Sequence, residues 1–561
     1  MRRKKELIAS VLILVMASSM ASCKKKQDPQ TSTETSETTG ITTEETTSAT
    51  TETTEDNSVS EPLASRTKPG SADFKLPEGC SIEFPEGDIY HYNMDLKLDT
   101  ENQKIGGNIQ FEFYNDSDDE WNDLCMRDYP SLFIDADYVI GMDAIYLEKP
   151  EFNGELTEID NISDSRTGAL EYSREEDDPS VIWIDLDQPL KPGEWMTLTY
   201  DFSSKIPDVD DRFGYYEDIY NITNFYPILA EYVDGEWSHL PYYEEGECFY
   251  SEISTYQVTL EVPSDYIVLS SGETISEEET EEGIFYEFEA PFVRDFVFCT
   301  SNVFEEETRE YDGVTVNVVY SKENPPSTNM KPSIDKTFST CENSLKAFGD
   351  AFGKYPYDEL DVVVAPISAG GMEYPNLVII TSSYYKDYNQ AMDYIELETC
   401  VSHEIGHQWF MGIVGSNSAG EPWLDESFAS YTELVYCEYV GGDLAEQMIS
   451  MSSKDMLDLT DADSIEFTYE GCLPLDMPHD SYDDSMSYII AAYKVGKDFL
   501  YQIEECIGTD EFHLVLREYV HRNAFTNATT ADFLEVLYEY AGTDNEVLNK
   551  LIENCLQTTI G

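Results

Sequence analysis

Val401-Ser402-His403-Glu404-Ile405-Gly406-His407-Gln408-Trp409-Phe410 is the stretch on which the reading of this chain turns. Three residues separate its histidines, so on a helix His403 and His407 lie one turn apart on one face, where two imidazoles can reach one cation. Glu404 follows His403 directly, and its carboxylate can stand beside such a cation as a base for water without being a ligand. The competing explanation is an amphipathic helix carrying two hydrogen-bonded histidines. After His407 come 18 residues and then Glu426, within Pro422-Trp423-Leu424-Asp425-Glu426-Ser427-Phe428-Ala429-Ser430-Tyr431. A third donor on a following helix completes a His2Glu set and leaves a fourth position open, which is the arrangement of catalytic zinc and not of structural zinc. Glu433 lies two turns beyond Glu426 on roughly the same face and could orient a ligand histidine. On so acidic a chain, a solvated carboxylate is its expected fate.

Upstream stands Gly370-Gly371-Met372-Glu373-Tyr374-Pro375, after the apolar run Asp361-Val362-Val363-Val364-Ala365. Pro375 cannot donate to a strand ladder, so this segment is expected at a sheet edge. An open edge with the small residues Gly370 and Gly371 beside Met372 admits an extended peptide, and Glu373 there can pair with a cationic group. Taken alone, the segment is a turn with one acidic residue.

The surrounding texture divides the chain. Between Phe74 and Glu305 apolar residues recur every second position, as in Ile109, Phe111, Phe113 and in Tyr256, Val258, Leu260, Val262, which is the period of half-buried strands. A short β stretch from Val314 to Tyr320 and another from Asp361 to Ile380 then lead into helical patterns that continue to Leu556. The expectation is an α+β multidomain chain, with an antiparallel β-sandwich-like domain over 74–305 and a mainly helical domain over 306–561. Ahead of these, Arg2, Arg3, Lys4 and Lys5 precede a short apolar run, so 1–23 reads as an export signal. Residues 24–73, rich in Thr, Ser and Glu, read as a disordered stalk.

Composition narrows the function. The 561 residues carry 33 Lys and Arg against 113 Asp and Glu, a formal charge of −80 that repels a phosphate backbone and excludes nucleic acid as the main partner. A mean hydropathy of −0.41 excludes a polytopic membrane protein. Of 11 cysteines, none stands in a CxxC pair, and buried free thiols are expected for those other than Cys23.

HExxH with 18 intervening residues before Glu426, the WLDE segment and the upstream G-x-M-E together resemble the aminopeptidase N family of gluzincin zinc metallopeptidases. Tyr493-Lys494-Val495-Gly496 is similar to the family's Tyr-x-x-Gly, and Phe225-Tyr226-Pro227 and Arg294-Asp295-Phe296 are local likenesses in the β region. The resemblance implies a thermolysin-like catalytic domain after the β domain, holding one zinc through His403, His407 and Glu426. It further implies Glu404 as general base and proton shuttle, Tyr493 as oxyanion donor, and Glu373 as anchor for a peptide's free amine. Two positions depart from the pattern: the asparagine that usually follows the motif glutamate is Tyr374, and no residue of the β region stands out as the second amine ligand. The chain ends at Gly561, too early for the large helical C-terminal domain of many members, which implies a more open substrate chamber. Met20-Ala21-Ser22-Cys23 is similar to a bacterial lipobox, implying lipidation of Cys23 and anchoring outside the cell membrane. A zinc aminopeptidase at the cell surface is therefore expected, against an endopeptidase of the thermolysin kind and an inactive binding lipoprotein.

Overall fold

Period-two alternation builds the first half of the molecule. In Tyr90–Asp99 the side chains of Tyr92, Met94, Leu96 and Leu98 are buried while Asp95 and Lys97 are exposed, and in Lys104–Tyr114 the buried set is Ile105, Ile109, Phe111 and Phe113. The computed structural model describes residues 80, 82 and 89–558, apart from 140–151, 244–245, 282, 323–329, 386–390, 443–473 and 483. The signal segment, Cys23, the stalk and Cys472 lie outside the described residues.

Eight strands form the main β sheet in the order Glu273–Glu279, Ile284–Val293, Ser254–Val262, Tyr90–Asp99, Lys104–Tyr114, Trp195–Lys205, Glu158–Asp164, Gly168–Ala169. The expectation of a wholly antiparallel domain is corrected at one pair, where Tyr90 to Lys97 run parallel to Ser254 to Glu261. A long crossover, not a hairpin, joins these two strands, so no tight turn forces them antiparallel. Two four-stranded sheets accompany the first. One apolar cluster takes in side chains from all three sheets and extends into the second half of the chain. Within it Tyr92 stacks on Phe111 at 4.0 Å and on Tyr256 at 4.9 Å.

The sheet membership changes between Ser301 and Phe304. From there a five-stranded sheet runs in the order Phe304–Tyr311, Val314–Ser321, Glu359–Ala365, Leu377–Thr381, Gly371–Met372. Its two parallel pairings require crossovers, and helix α1, Lys331–Phe352, supplies the first. Gly371–Met372 is the edge strand, antiparallel to Leu377–Thr381. Helix α2, Ala391–Gly406, and helix α3, Trp423–Val440, follow. Next come α4, Ser485–Ile489, a π-helical turn over Ile490–Val495, and α5, Gly496–Ile507. Three more helices close the described chain.

The two halves meet through Arg294, which is buried. Its Nε donates to the Met411 carbonyl (2.8 Å), Nη1 to Asn527 Oδ1 (2.6 Å) and Nη2 to the Thr526 carbonyl (2.7 Å), so a guanidinium from the β half fastens the turn that follows α2. The described cysteines, from Cys80 to Cys555, are free thiols. Among the described residues no helix is long and apolar enough to cross a membrane.

Candidate metal centre and active site

Helix α3 buries charge. From Trp423 to Thr432 every residue is buried, Asp425 and Glu426 included, and carboxylates held away from water need cationic or hydrogen-bonding partners. Glu426 finds them on α2. His403 Nε2 lies 3.4 Å and His407 Nε2 3.6 Å from Glu426 Oε2, and the two Nε2 atoms are 3.2 Å apart. His407 stands just past the last residue of α2, yet its N–H still bonds the His403 carbonyl at 3.2 Å, which keeps the rings on one face.

Three acceptor atoms thus converge, and Glu426 Oε2 has no hydrogen-bond donor. Burial alone would discourage protonation of His403, but its contacts with Glu426 and Glu433 push it up to about 10. The same carboxylates' histidine contacts hold Glu426 well below the usual range despite its burial. The site therefore calls for positive charge at one point. Two imidazole nitrogens and one carboxylate oxygen are the donor set of catalytic zinc, and the residues fit that ion.

Both imidazoles are oriented from behind. His403 Nδ1 is 3.0 Å from Glu433 Oε1, and Glu433 Oε2 accepts from Lys497 Nζ of α5 at 3.0 Å. The expectation of a solvated Glu433 is thereby corrected: its side chain is only 14% exposed and spends its oxygens on His403 and Lys497. His407 Nδ1 is 2.7 Å from Asp425 Oδ1, whose other oxygen accepts from Ser418 Oγ at 2.9 Å. His407 Nδ1 also lies 3.2 Å from the Phe410 carbonyl, so an acceptor behind each ring, Glu433 for His403 and this carbonyl for His407, fixes the tautomer that leaves Nε2 free to ligate.

Glu404 is buried beside this set. Burial, with Glu373 and Glu426 nearby, raises its carboxyl to about 8 against the opposing effect of the histidines. Cys400 Sγ, one turn earlier, approaches Glu404 Oε1 at 3.8 Å. The edge strand explains Gly371: a Cβ there would sit 2.2 Å from Glu404 Oε1, so only glycine lets the carboxylate lie against the strand. Gly370 accepts from the Thr381 N–H at 2.9 Å, and Met372 pairs with Ile379. These two residues border the site through backbone and position, not through side-chain chemistry.

Glu373 points its Oε1 into the same buried region without a hydrogen-bond donor. It, His407 and Asp425 each bring a donor atom within 4.8 Å of the others. Glu247 of the β half, a residue not found from sequence, lines the same pocket as Glu373 and accepts from Arg212 Nη1 at 2.7 Å. Burial pushes Glu247 up, Arg212 opposes this, and Glu373 and Asp425 raise it further. Two carboxylates from different halves thus line one pocket, and the charge on Glu373 favours protonation of Glu247 near the metal set. The pocket is also bordered by Phe249, Tyr250 and Met411.

Tyr493 lies on the π-helical turn, and such turns re-aim side chains at functional sites. Its hydroxyl donates to Glu426 Oε1 at 2.5 Å, and its ring stacks on His403 with centroids 5.9 Å apart. Burial, then the nearby Glu426, keeps the phenol protonated well above its ordinary range. Of the residues expected at the site, His403, His407 and Glu426 converge, Glu404 lies against Gly371, Tyr493 bonds Glu426 and Glu373 lies beside His407, while Cys23 is outside the described residues.

Residues 337–555 match the peptidase family M1 domain. Aminopeptidase M1-B of Oryza sativa subsp. japonica is 27% identical over 304 residues, covering 51% of this chain and 32% of its own. Aminopeptidase 2 of Candida albicans is 29% identical over 212 residues, covering 36% and 22%. The chain thus spans a third or less of the length of these two relatives. Among solved structures, an M1 zinc metallopeptidase variant from Deinococcus radiodurans aligns with a TM-score of 0.58 over 87% of this chain and 96% of that one, at 16% identity. The same variant was also solved bound to the substrate Tyr-Ser-Ala, again with a TM-score of 0.58 and 16% identity over 87% and 96%. The shared architecture is a β-rich N-terminal domain followed by a helical part.

Proposed function

Residues 337–555 belong to peptidase family M1, the aminopeptidase N family of gluzincins, and from that premise we propose that the protein is a zinc aminopeptidase releasing N-terminal residues from peptides. The observation that carries the exopeptidase reading is the buried Glu373 Oε1, which has no donor of its own and belongs to a residue that lines one pocket together with Glu247. A peptide's ammonium group supplies the donor that Glu373 Oε1 lacks.

Zinc held by His403, His407 and Glu426 supplies Lewis-acid polarisation of the scissile carbonyl and acidifies water. Glu404 takes the proton of the attacking water and returns it to the leaving amine. Tyr493 turns its O–H from Glu426 toward the developing oxyanion. The edge strand at Gly370, Gly371 and Met372 receives the extended substrate backbone, while Glu373 and Glu247 fix the free amine and so set the register of cleavage to one residue.

Glu373→Ala is expected to weaken processing of free-amine peptides by about 2 kcal/mol in kcat/KM, because a charge-assisted contact is lost. The wild type should leave N-acetylated peptides uncut. Measured side by side on free and acetylated forms of one peptide, robust cleavage of the acetylated form would favour a thermolysin-like endopeptidase. Absence of turnover with zinc bound would favour an inactive binding protein.

The cell-surface setting belongs to the same proposal. It is supported by Met20-Ala21-Ser22-Cys23, the cationic start and the Thr- and Ser-rich run that follows, all outside the described residues. Cys23→Ser should shift the protein from the membrane fraction to the soluble fraction and abolish incorporation of an alkyne-tagged fatty acid. Unchanged labelling would reject Cys23 as the lipidated residue.

A further inference from the structure

Tyr374 stands where the family usually has asparagine, and its surroundings suggest why this chain departs. The ring belongs to the apolar cluster with Ile219, Val297, Leu377 and Ile379, while the hydroxyl reaches the β half, where its single hydrogen is shared between Thr223 Oγ1 (2.7 Å) and Asn224 Oδ1 (2.8 Å). Thr223 in turn donates to the Arg212 carbonyl at 2.9 Å, and the Arg212 guanidinium holds Glu247. Asn224 donates to Asp295 Oδ2 at 2.9 Å, so the acceptor end of this link is itself braced.

On the other side, the backbone around Glu373 is tied to the metal helix. Gln408, next to ligand His407, donates to the Tyr374 carbonyl at 3.1 Å and accepts from the Asn376 N–H at 2.8 Å. Glu373 Oε1 has no hydrogen-bond partner, while the residue next to it is tied both to the β half and to the metal helix.

We propose that Tyr374 is a positioning residue: through Thr223 and Arg212 its hydroxyl sets the separation of Glu373 and Glu247, and with it the fit of the substrate's ammonium group. The inference rests on the aminopeptidase reading and adds to it the element that couples the two halves of the amine site. The hydrogen-bonded link from Tyr374 through Thr223 to Arg212 runs over two contacts of 2.7 and 2.9 Å, and directional bonds of that length restrict relative position more than apolar packing does. Tyr374→Phe keeps the ring and removes the link.

Its test compares two inhibitors that share a metal-binding group, leucine hydroxamate and its des-amino counterpart 4-methylpentanohydroxamate. In the wild type the amine should tighten binding. Tyr374→Phe should weaken leucine hydroxamate about tenfold and leave the des-amino compound within about twofold, with zinc content unchanged. Thr223→Val should act the same way from the opposite side, and the double variant should be no worse than either single one, as members of one link behave. Equal weakening of both inhibitors would mean a merely structural role and would overturn the proposal. So would unchanged selectivity in both variants while Glu373→Ala abolishes it. If Glu373→Ala itself leaves the selectivity intact, the aminopeptidase reading falls first.

Discussion

Glu404→Gln should bind zinc as the wild type does and lose about 10³-fold in kcat. The ligand set is complete without it, since His403, His407 and Glu426 bring their donor atoms together on their own. Glu404 instead lies on the strand side of the site, against Gly371, with Cys400 Sγ as its near neighbour. Glutamine has the same shape and fills the same space, so burial and packing are conserved. What it cannot do is accept a proton from water and hand it on. Metal analysis of the purified variant, together with kcat on a free-amine peptide, separates the two effects. A variant turning over near the wild-type rate would remove Glu404 from the chemistry, and one that lost its zinc would make it part of the metal's support.

The metal set was legible because it depends on one local rule. His403 and His407 are brought together by helical period, and Glu426 by the spacing to the next helix. Partners that depend on how distant elements pack were not legible. Glu433 was expected in solvent on the strength of the chain's acidity, but which face of α3 is covered is decided by α2 and α5, and Lys497 comes from 64 residues away. Glu247 sits in a loop with no periodicity, and its meaning depends on Arg212 and on Glu373 in the other half. Helix α1 lacks a clear sequence signal for a different reason: over its first turns the buried face mixes Ser333, Thr337, Thr340 and Ser344 with Ile334, Phe338 and Cys341, and a continuous apolar stripe begins only at Ala347 and Phe348. Alternation in the β half was plain, yet alternation reports which face is buried and not strand direction, so the parallel pairing of Tyr90 to Lys97 had no sequence signal.

Tyr493→Phe is expected to lower kcat by about 10²-fold to 10³-fold with KM within a few-fold of wild type, the pattern of a donor that acts chiefly in the transition state. A simple packing role would predict something else, because phenylalanine preserves the ring's stack on His403 and the apolar surroundings of the turn. The backbone around it is held in place independently. A Cβ on Gly496 would meet Ser427 Oγ at 1.7 Å, so the turn presses against α3 whatever the residue at 493 carries. The substitution does remove the hydroxyl's bond to Glu426 Oε1 at 2.5 Å, and a looser Glu426 could weaken the metal set without any oxyanion role. Zinc affinity distinguishes the two. If kcat falls while zinc content and melting temperature hold, the missing oxygen acted on the substrate. If zinc is lost in step with activity, and added zinc restores the rate, Tyr493 serves Glu426 instead, and the oxyanion donor must be sought elsewhere.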